Sequence, residues 1–144
     1  MKPIILAKSI NAPINLVFNS IAHIEEFAKI VNDIVDVEFL SENKTGLGAR
    51  FRETRMMKGK EATTELEVTE YKIDEKIRLV AEAGGTIWDT LFTVKEENGK
   101  TILAVTMNAS AKNLFAKLIN MLIAGMVTKS IDKDMNAVKV YCEK

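Results

Sequence analysis

The chain has 144 residues, enough for one domain that buries about two-thirds of its unfolded surface. Its 20 Lys and Arg balance its 20 Asp and Glu, so no basic excess points to nucleic acid and no acidic tail to a cationic partner. The single cysteine, Cys142, rules out an internal disulfide and fits a reducing, cytoplasmic setting.

The opening Met1 to Leu6 is too short and too soon polar for a signal peptide. Pro3 to Ile10 reads as a first strand, with Ile4, Leu6 and Ile10 on one side. Asn11 or Ala12 then caps a helix with Pro13 at its first position, where the missing N–H is no loss. Ile14, Val17, Phe18 and Ile21 follow at helical spacing and form an apolar stripe. A second short helix, about Ile24 to Val31, buries Ile24, Phe27 and Val31. A strand from about Val35 to Leu40 comes next, and Gly46 and Gly48 mark a turn.

Three tight turns dominate the middle of the chain: Lys58-Gly59, Gly84-Gly85 and Asn98-Gly99, each between alternating segments. Counting outward from the first pairs Arg55 with Ala62, Glu53 with Thr64, Phe51 with Leu66 and Ala49 with Val68. The second pairs Ala81 with Trp88, Leu79 with Thr90 and Ile77 with Phe92. The third pairs Val94 with Leu103, Phe92 with Val105 and Thr90 with Met107. The last two counts independently assign Trp88, Thr90 and Phe92 to one face, so the registers agree. On the other face of the first hairpin, Arg52 lies opposite Glu65 and Arg50 opposite Glu67, a favourable cross-strand arrangement. A curved antiparallel sheet with one apolar side results.

From Ser110 or Ala111 to Tyr141 there is no proline and helical spacing resumes. In the second half of this helix Ile131, Met135, Val138 and Cys142 make one narrow stripe, with Asp132, Lys133, Asp134 and Lys139 elsewhere. In the first half Leu114, Phe115, Leu118, Ile119, Met121, Leu122, Ile123, Met126 and Val127 wrap most of the circumference, which calls for burial on several sides. That half either faces the core on one side and a cavity or partner on the other, or is covered by the two short helices. The run Leu114 to Val127 falls short of a membrane span, so no stable insertion is expected.

This order of elements resembles the helix-grip fold of the START-like, or SRPBCC, superfamily. The resemblance rests on Ile10-Asn11-Ala12-Pro13 with Val17-Phe18, on Gly46-Leu47-Gly48-Ala49-Arg50-Phe51-Arg52-Glu53-Thr54-Arg55, and on Gly59-Lys60-Glu61-Ala62. Leu66-Glu67-Val68-Thr69-Glu70-Tyr71 and Gly99-Lys100-Thr101 extend it over essentially the whole chain, and the bacterial polyketide cyclase/dehydrase and lipid transport subgroup is the best match. It implies a single α+β domain over residues 1–144, with a seven-stranded antiparallel sheet wrapped around a long C-terminal helix. Two short helices lie between strands one and two. It also implies a hydrophobic cavity between sheet and helix. The superfamily hosts binders, carriers and enzymes, so the fold leaves the chemistry open.

The expected cavity wall is Phe51, Leu66, Val68, Ile77, Leu79, Trp88, Phe92, Val105 and Met107 from the sheet, with Leu118, Met121, Leu122 and Met126 from the helix. Glu53 points inward by the hairpin count and is the one candidate for acid/base chemistry; Arg55, on the same face, is its natural partner. Thr64, Thr90 and Trp88 can meet the polar end or ring of a ligand. Asp89 falls on the outer face near Asn108. His23, the only histidine, has no Cys or His cluster around it, so neither a metal nor a cofactor is expected. Gly46-Leu47-Gly48 runs into a strand and meets no nucleotide-loop pattern. The favoured function is binding or transport of a small hydrophobic ligand, with the cavity mouth near Gly84-Gly85 and the first half of the last helix. A cyclase or dehydratase using Glu53 and a protein-interaction module are the alternatives, and a homodimer is left open.

Overall fold

A computed structural model describes residues 1–144. The elements are β1 (Ile4–Ile10), α1 (Ile14–Ala22), α2 (Ile24–Ile30), β2 (Ile34–Phe39), β3 (Arg50–Met57), β4 (Lys60–Lys72), β5 (Lys76–Ala83), β6 (Thr86–Glu97), β7 (Lys100–Ala111) and α3 (Leu114–Cys142). The strands form one antiparallel sheet in the order β1-β7-β6-β5-β4-β3-β2. β1 and β2 therefore lie at opposite edges, and α1 and α2 bridge the distance between them. This is the helix-grip architecture.

The hairpin turns set the registers. Lys58 and Asn98 have φ of 51° and 53°, and Gly59 and Gly99 follow at 78° each. Two successive positive φ values make the tight turn that matches strand twist. The observed pairs Glu53–Thr64, Phe51–Leu66, Leu79–Thr90, Ala81–Trp88, Phe92–Val105 and Thr90–Met107 are those the turns dictate. Between Val68 and Glu70 the β4 register shifts, and Tyr71 returns to the inner face opposite Ile77. Such a bulge bends its strand and adds to the concavity of the sheet. Tyr71 meets the Phe18 ring of α1 edge-on, with centroids 5.5 Å apart. On the outer face Arg52 bridges Glu65 and Glu38 at 2.6 and 2.9 Å, and Arg78 holds Asp89 at 3.1 Å.

Two helix starts differ from expectation. Pro13 stands at the N-cap of α1 rather than inside it, and no side chain caps that helix. β7 runs on to Ala111, because Thr86 at the start of β6 still pairs with it, so α3 begins only at Leu114. Asn113 caps α3, its Oδ1 accepting from the Ala116 amide at 2.8 Å.

The core contains Ile10, Val17, Phe18, Ile77, Leu103, Val105, Met135 and Val138, all essentially inaccessible. It joins α1, the closed end of the sheet and the second half of α3. The first half of α3 is not part of it. Only Ala116 and Asn120 of that half are buried, and neither the sheet nor the short helices cover its apolar side. Leu114, Phe115 and Leu122 are 85%, 74% and 73% exposed. α1 meets α3 at the far end instead, where Ser20 Oγ lies 3.5 Å from Cys142 Sγ. By length and composition alone α3 is apolar enough to cross a bilayer. Its second half, however, fastens the helix into the core.

Candidate functional site

The concave side of the sheet and the second half of α3 do not meet along their whole length. They leave a cavity of about 300 Å³ lined by 26 residues, 20 of them hydrophobic. Phe51, Leu66, Leu79, Trp88, Phe92 and Met107 supply the sheet wall. Met126, Val127, Ile131, Met135 and Val138 supply the helix wall, and Ile21, Ala22, Ile24 and Phe27 close the end between α1 and α2. Ala62 and Met126 are the lining residues most open to solvent. The mouth therefore lies between the β3–β4 hairpin and the midpoint of α3.

Six polar side chains break the apolar lining: Glu53, Arg55, Thr64, Thr90, Ser130 and Asp134. Three of them form one cluster. Arg55 Nη1 donates to Asp134 Oδ2 at 2.9 Å, while its Nε donates to Glu53 Oε1. Glu53 and Arg55 sit two residues apart on β3, so strand alternation aims both at the helix. The side chains of Glu53, Arg55 and Asp134 are 11%, 18% and 11% exposed. Burial disfavours the Arg55 guanidinium, but the two carboxylates outweigh it and hold its pKa above the ordinary value. Burial pushes Asp134 up to about 6, against the pull of Arg55 and helped by the charges of Glu53 and Asp33. Asp134 Oδ1 is buried without any hydrogen-bond partner. The cavity is thus an apolar chamber with a carboxylate–guanidinium–carboxylate cluster in its wall.

Residues 6–143 match the family described as polyketide cyclase / dehydrase and lipid transport. The chain belongs to that family. No curated protein sequence matches it. Among solved structures, Ara h 8.0201 superposes with a TM-score of 0.80 at 13% identity, covering 98% of this chain and 97% of that one. TTHA0849 from Thermus thermophilus gives 0.78 at 15% identity, over 96% and 94% of the two chains. CV1439 from Chromobacterium violaceum gives 0.75 at 14%, over 100% and 99%. At these identities the likeness shows the fold alone.

Most of the sheet wall expected for this family member is where the hairpin count puts it. Phe51, Glu53, Arg55, Thr64, Leu66, Ile77, Leu79, Trp88, Thr90, Phe92, Met107 and Met126 all line the cavity. Val68 and Val105 do not. They share the inner face but are packed solid in the core. Leu118, Met121 and Leu122 are also outside it, at 55%, 61% and 73% exposure. The reason is helical phase: stepping back from Cys142 through Val138, Met135, Ile131 and Val127 leads to Asn120 and Ala116. The intervening apolar residues are thereby turned outward.

Asp134 is the site residue that sequence reasoning assigned to the polar side. It lies three residues after Ile131 and next to Met135, at the edge of the buried stripe, but within a run of charges that ordinarily faces water. Ser130 and the α1–α2 residues were missed because nothing in the strand count reports on what closes the chamber's end. The Gly84-Gly85 turn is tied to the start of α3 instead of standing open: Gly85 O accepts from the Lys112 amide at 2.8 Å, and a Cβ at Gly85 would lie 3.5 Å from the Ala116 and Asn113 side chains. His23 sits at the N-cap of α2 without a capping bond and takes no part in the cavity. Burial raises the pKa of the Cys142 thiol, against the pull of the Ser20 hydrogen bond, and so disfavours the thiolate.

Proposed function

We propose that this protein binds and carries a small hydrophobic molecule of the lipid or polyketide class in the cavity between sheet and α3. One observation carries the reading: a chamber of about 300 Å³ with 20 apolar residues among its 26, between the concave side of the sheet and α3. Natural pockets of roughly 300–1,000 Å³ bury most of a small ligand's surface behind such a lining. Each Å² of apolar ligand surface removed from water contributes roughly 25 cal/mol before ordering costs. The volume is at the small end, which favours a compact ring system or a single medium-length chain. A reducing, cytoplasmic location is consistent with the one buried cysteine.

Native mass spectrometry of freshly purified protein tests the proposal directly. A co-purifying apolar compound is expected, and it should vanish in Ala81→Phe, which adds a ring at a buried lining position. Retention of the same compound by that variant would place binding elsewhere.

A second reading, a cyclase or dehydratase, is favoured by one feature: Asp134, held near pH 6, stands with Glu53 around Arg55 and would supply a second proton-transfer group. Glu53→Gln separates the two readings. A carrier keeps its affinity approximately, whereas an acid/base enzyme loses turnover.

A further inference from the structure

The polar wall of the cavity has a sign. Arg55 is the only cationic side chain lining it, and two carboxylates already engage it: Glu53 at Nε and Asp134 at Nη1. One guanidinium against two carboxylates leaves the cluster at −1 with both ionised and at 0 with one protonated. It becomes positive only when both carboxylates are protonated. Acceptors, by contrast, are in surplus. Arg55 reaches Glu53 only through Oε1 and Asp134 only through Oδ2. Asp134, 8% exposed overall, keeps a buried Oδ1 with no donor. The remaining polar lining, Thr64, Thr90 and Ser130, offers neutral hydroxyls.

From this we infer that the cavity selects ligands whose polar end is neutral or cationic and donates hydrogen bonds, an alcohol or an amine, and rejects carboxylates and phosphates. The inference rests on the hydrophobic-ligand reading and deepens it. An anionic head group entering this chamber loses its hydration and meets no free counter-ion. It lies instead beside two carboxylates that compete for the same guanidinium, a combination that buried charges do not tolerate. A hydroxyl or ammonium group meets a carboxylate cluster with more acceptor oxygens than donors, and a hydrogen bond to a charged group is among the stronger ones.

Trp88 is the only tryptophan and lines the cavity, so its emission reports on occupancy without a label. Titrating the wild-type protein with decanol, decylamine and decanoate, each below its micellar concentration, compares three head groups on one chain. Decanol and decylamine should each bind at least about tenfold more tightly than decanoate, a ratio equivalent to 1.4 kcal/mol. Decanoate binding equally well or better overturns the inference while leaving the carrier reading intact. If none of the three changes Trp88 emission, the carrier reading itself fails and takes the inference with it.

The double variant Glu53→Gln/Asp134→Asn frees Arg55 and should turn the preference toward decanoate. An unchanged order of affinities in that variant, with its fold confirmed by circular dichroism, would show that the cluster does not set the selectivity. Ala81→Phe, with the chamber filled, controls for adsorption to the exposed side of α3 and should abolish all three responses.

Discussion

The two halves of α3 are both apolar, yet only one of them builds the protein. Ile131, Met135, Val138 and Cys142 are at most 9% exposed and seal the sheet. In the first half, the buried side chains are Ala116, which is small, and Asn120, whose amide exchanges hydrogen bonds with Thr86 at 2.8 and 3.2 Å. Leu114, Phe115, Leu118, Met121 and Leu122 face away. Hydrophobic content alone would choose the first half as core. What decides is the phase of the stripe and the residues on the contacting side, so an apolar helix can be fastened by a small residue and one polar pair.

Substitutions along α3 sharpen this contrast, and the largest effect is expected in the second half. Met135→Ala removes a side chain that is 2% exposed and should lower unfolding stability by about 2–5 kcal/mol, measured by denaturant titration. A loss below about 1 kcal/mol would mean the second half is not the sealing element.

Next comes Asp134, on the same half. Its folded pKa lies above the ordinary 3.8, at about 6, so the folded state holds the proton more tightly than the unfolded chain. Its contribution is therefore fully present below the unfolded value and is lost as pH rises through 6, a change of about 3 kcal/mol at most. Asp134→Asn should match the wild type near pH 4 and exceed it in stability above pH 6. A variant less stable than wild type across that whole range would show that the ion pair with Arg55 outweighs burial.

In the first half the expected effects are smaller. Asn120→Ala leaves the Thr86 hydroxyl buried without its partner and should cost about 1–3 kcal/mol. It should also speed amide exchange in the segment after Leu114 more than in the segment after Ile131. Leu122→Ser, at a position 73% exposed, should change stability by no more than about 0.5 kcal/mol. A larger loss would show that the outward face is covered in solution.

The sheet was legible because its registers are fixed by turns that only a few residue pairs can form. Lys58-Gly59 and Asn98-Gly99 supply consecutive positive φ values, and period-two alternation carries each assignment along whole strands. That is why the turns alone point Phe51, Glu53, Trp88 and Thr90 into the wall and set Glu53 beside Arg55 on one face. The helix side was harder to read. The apolar residues around its first half drown the phase signal that Ala116 and Asn120 carry, so hydrophobicity alone points Leu118, Met121 and Leu122 inward although they face out. Asp134 was hidden among neighbouring charges, since a carboxylate in a run with Asp132 and Lys133 ordinarily faces water. Its burial depends on Arg55 arriving from β3, a partner about eighty residues away that no local pattern reports.

The central claim concerns where a ligand sits relative to those two halves. Backbone and methyl NMR shifts followed during titration with decanol decide it most directly. The account predicts perturbations at Phe51, Leu79, Trp88, Ile131 and Met135, the two walls of the chamber. Perturbations confined to Leu114–Leu122, with Trp88 and Met135 silent, would contradict it.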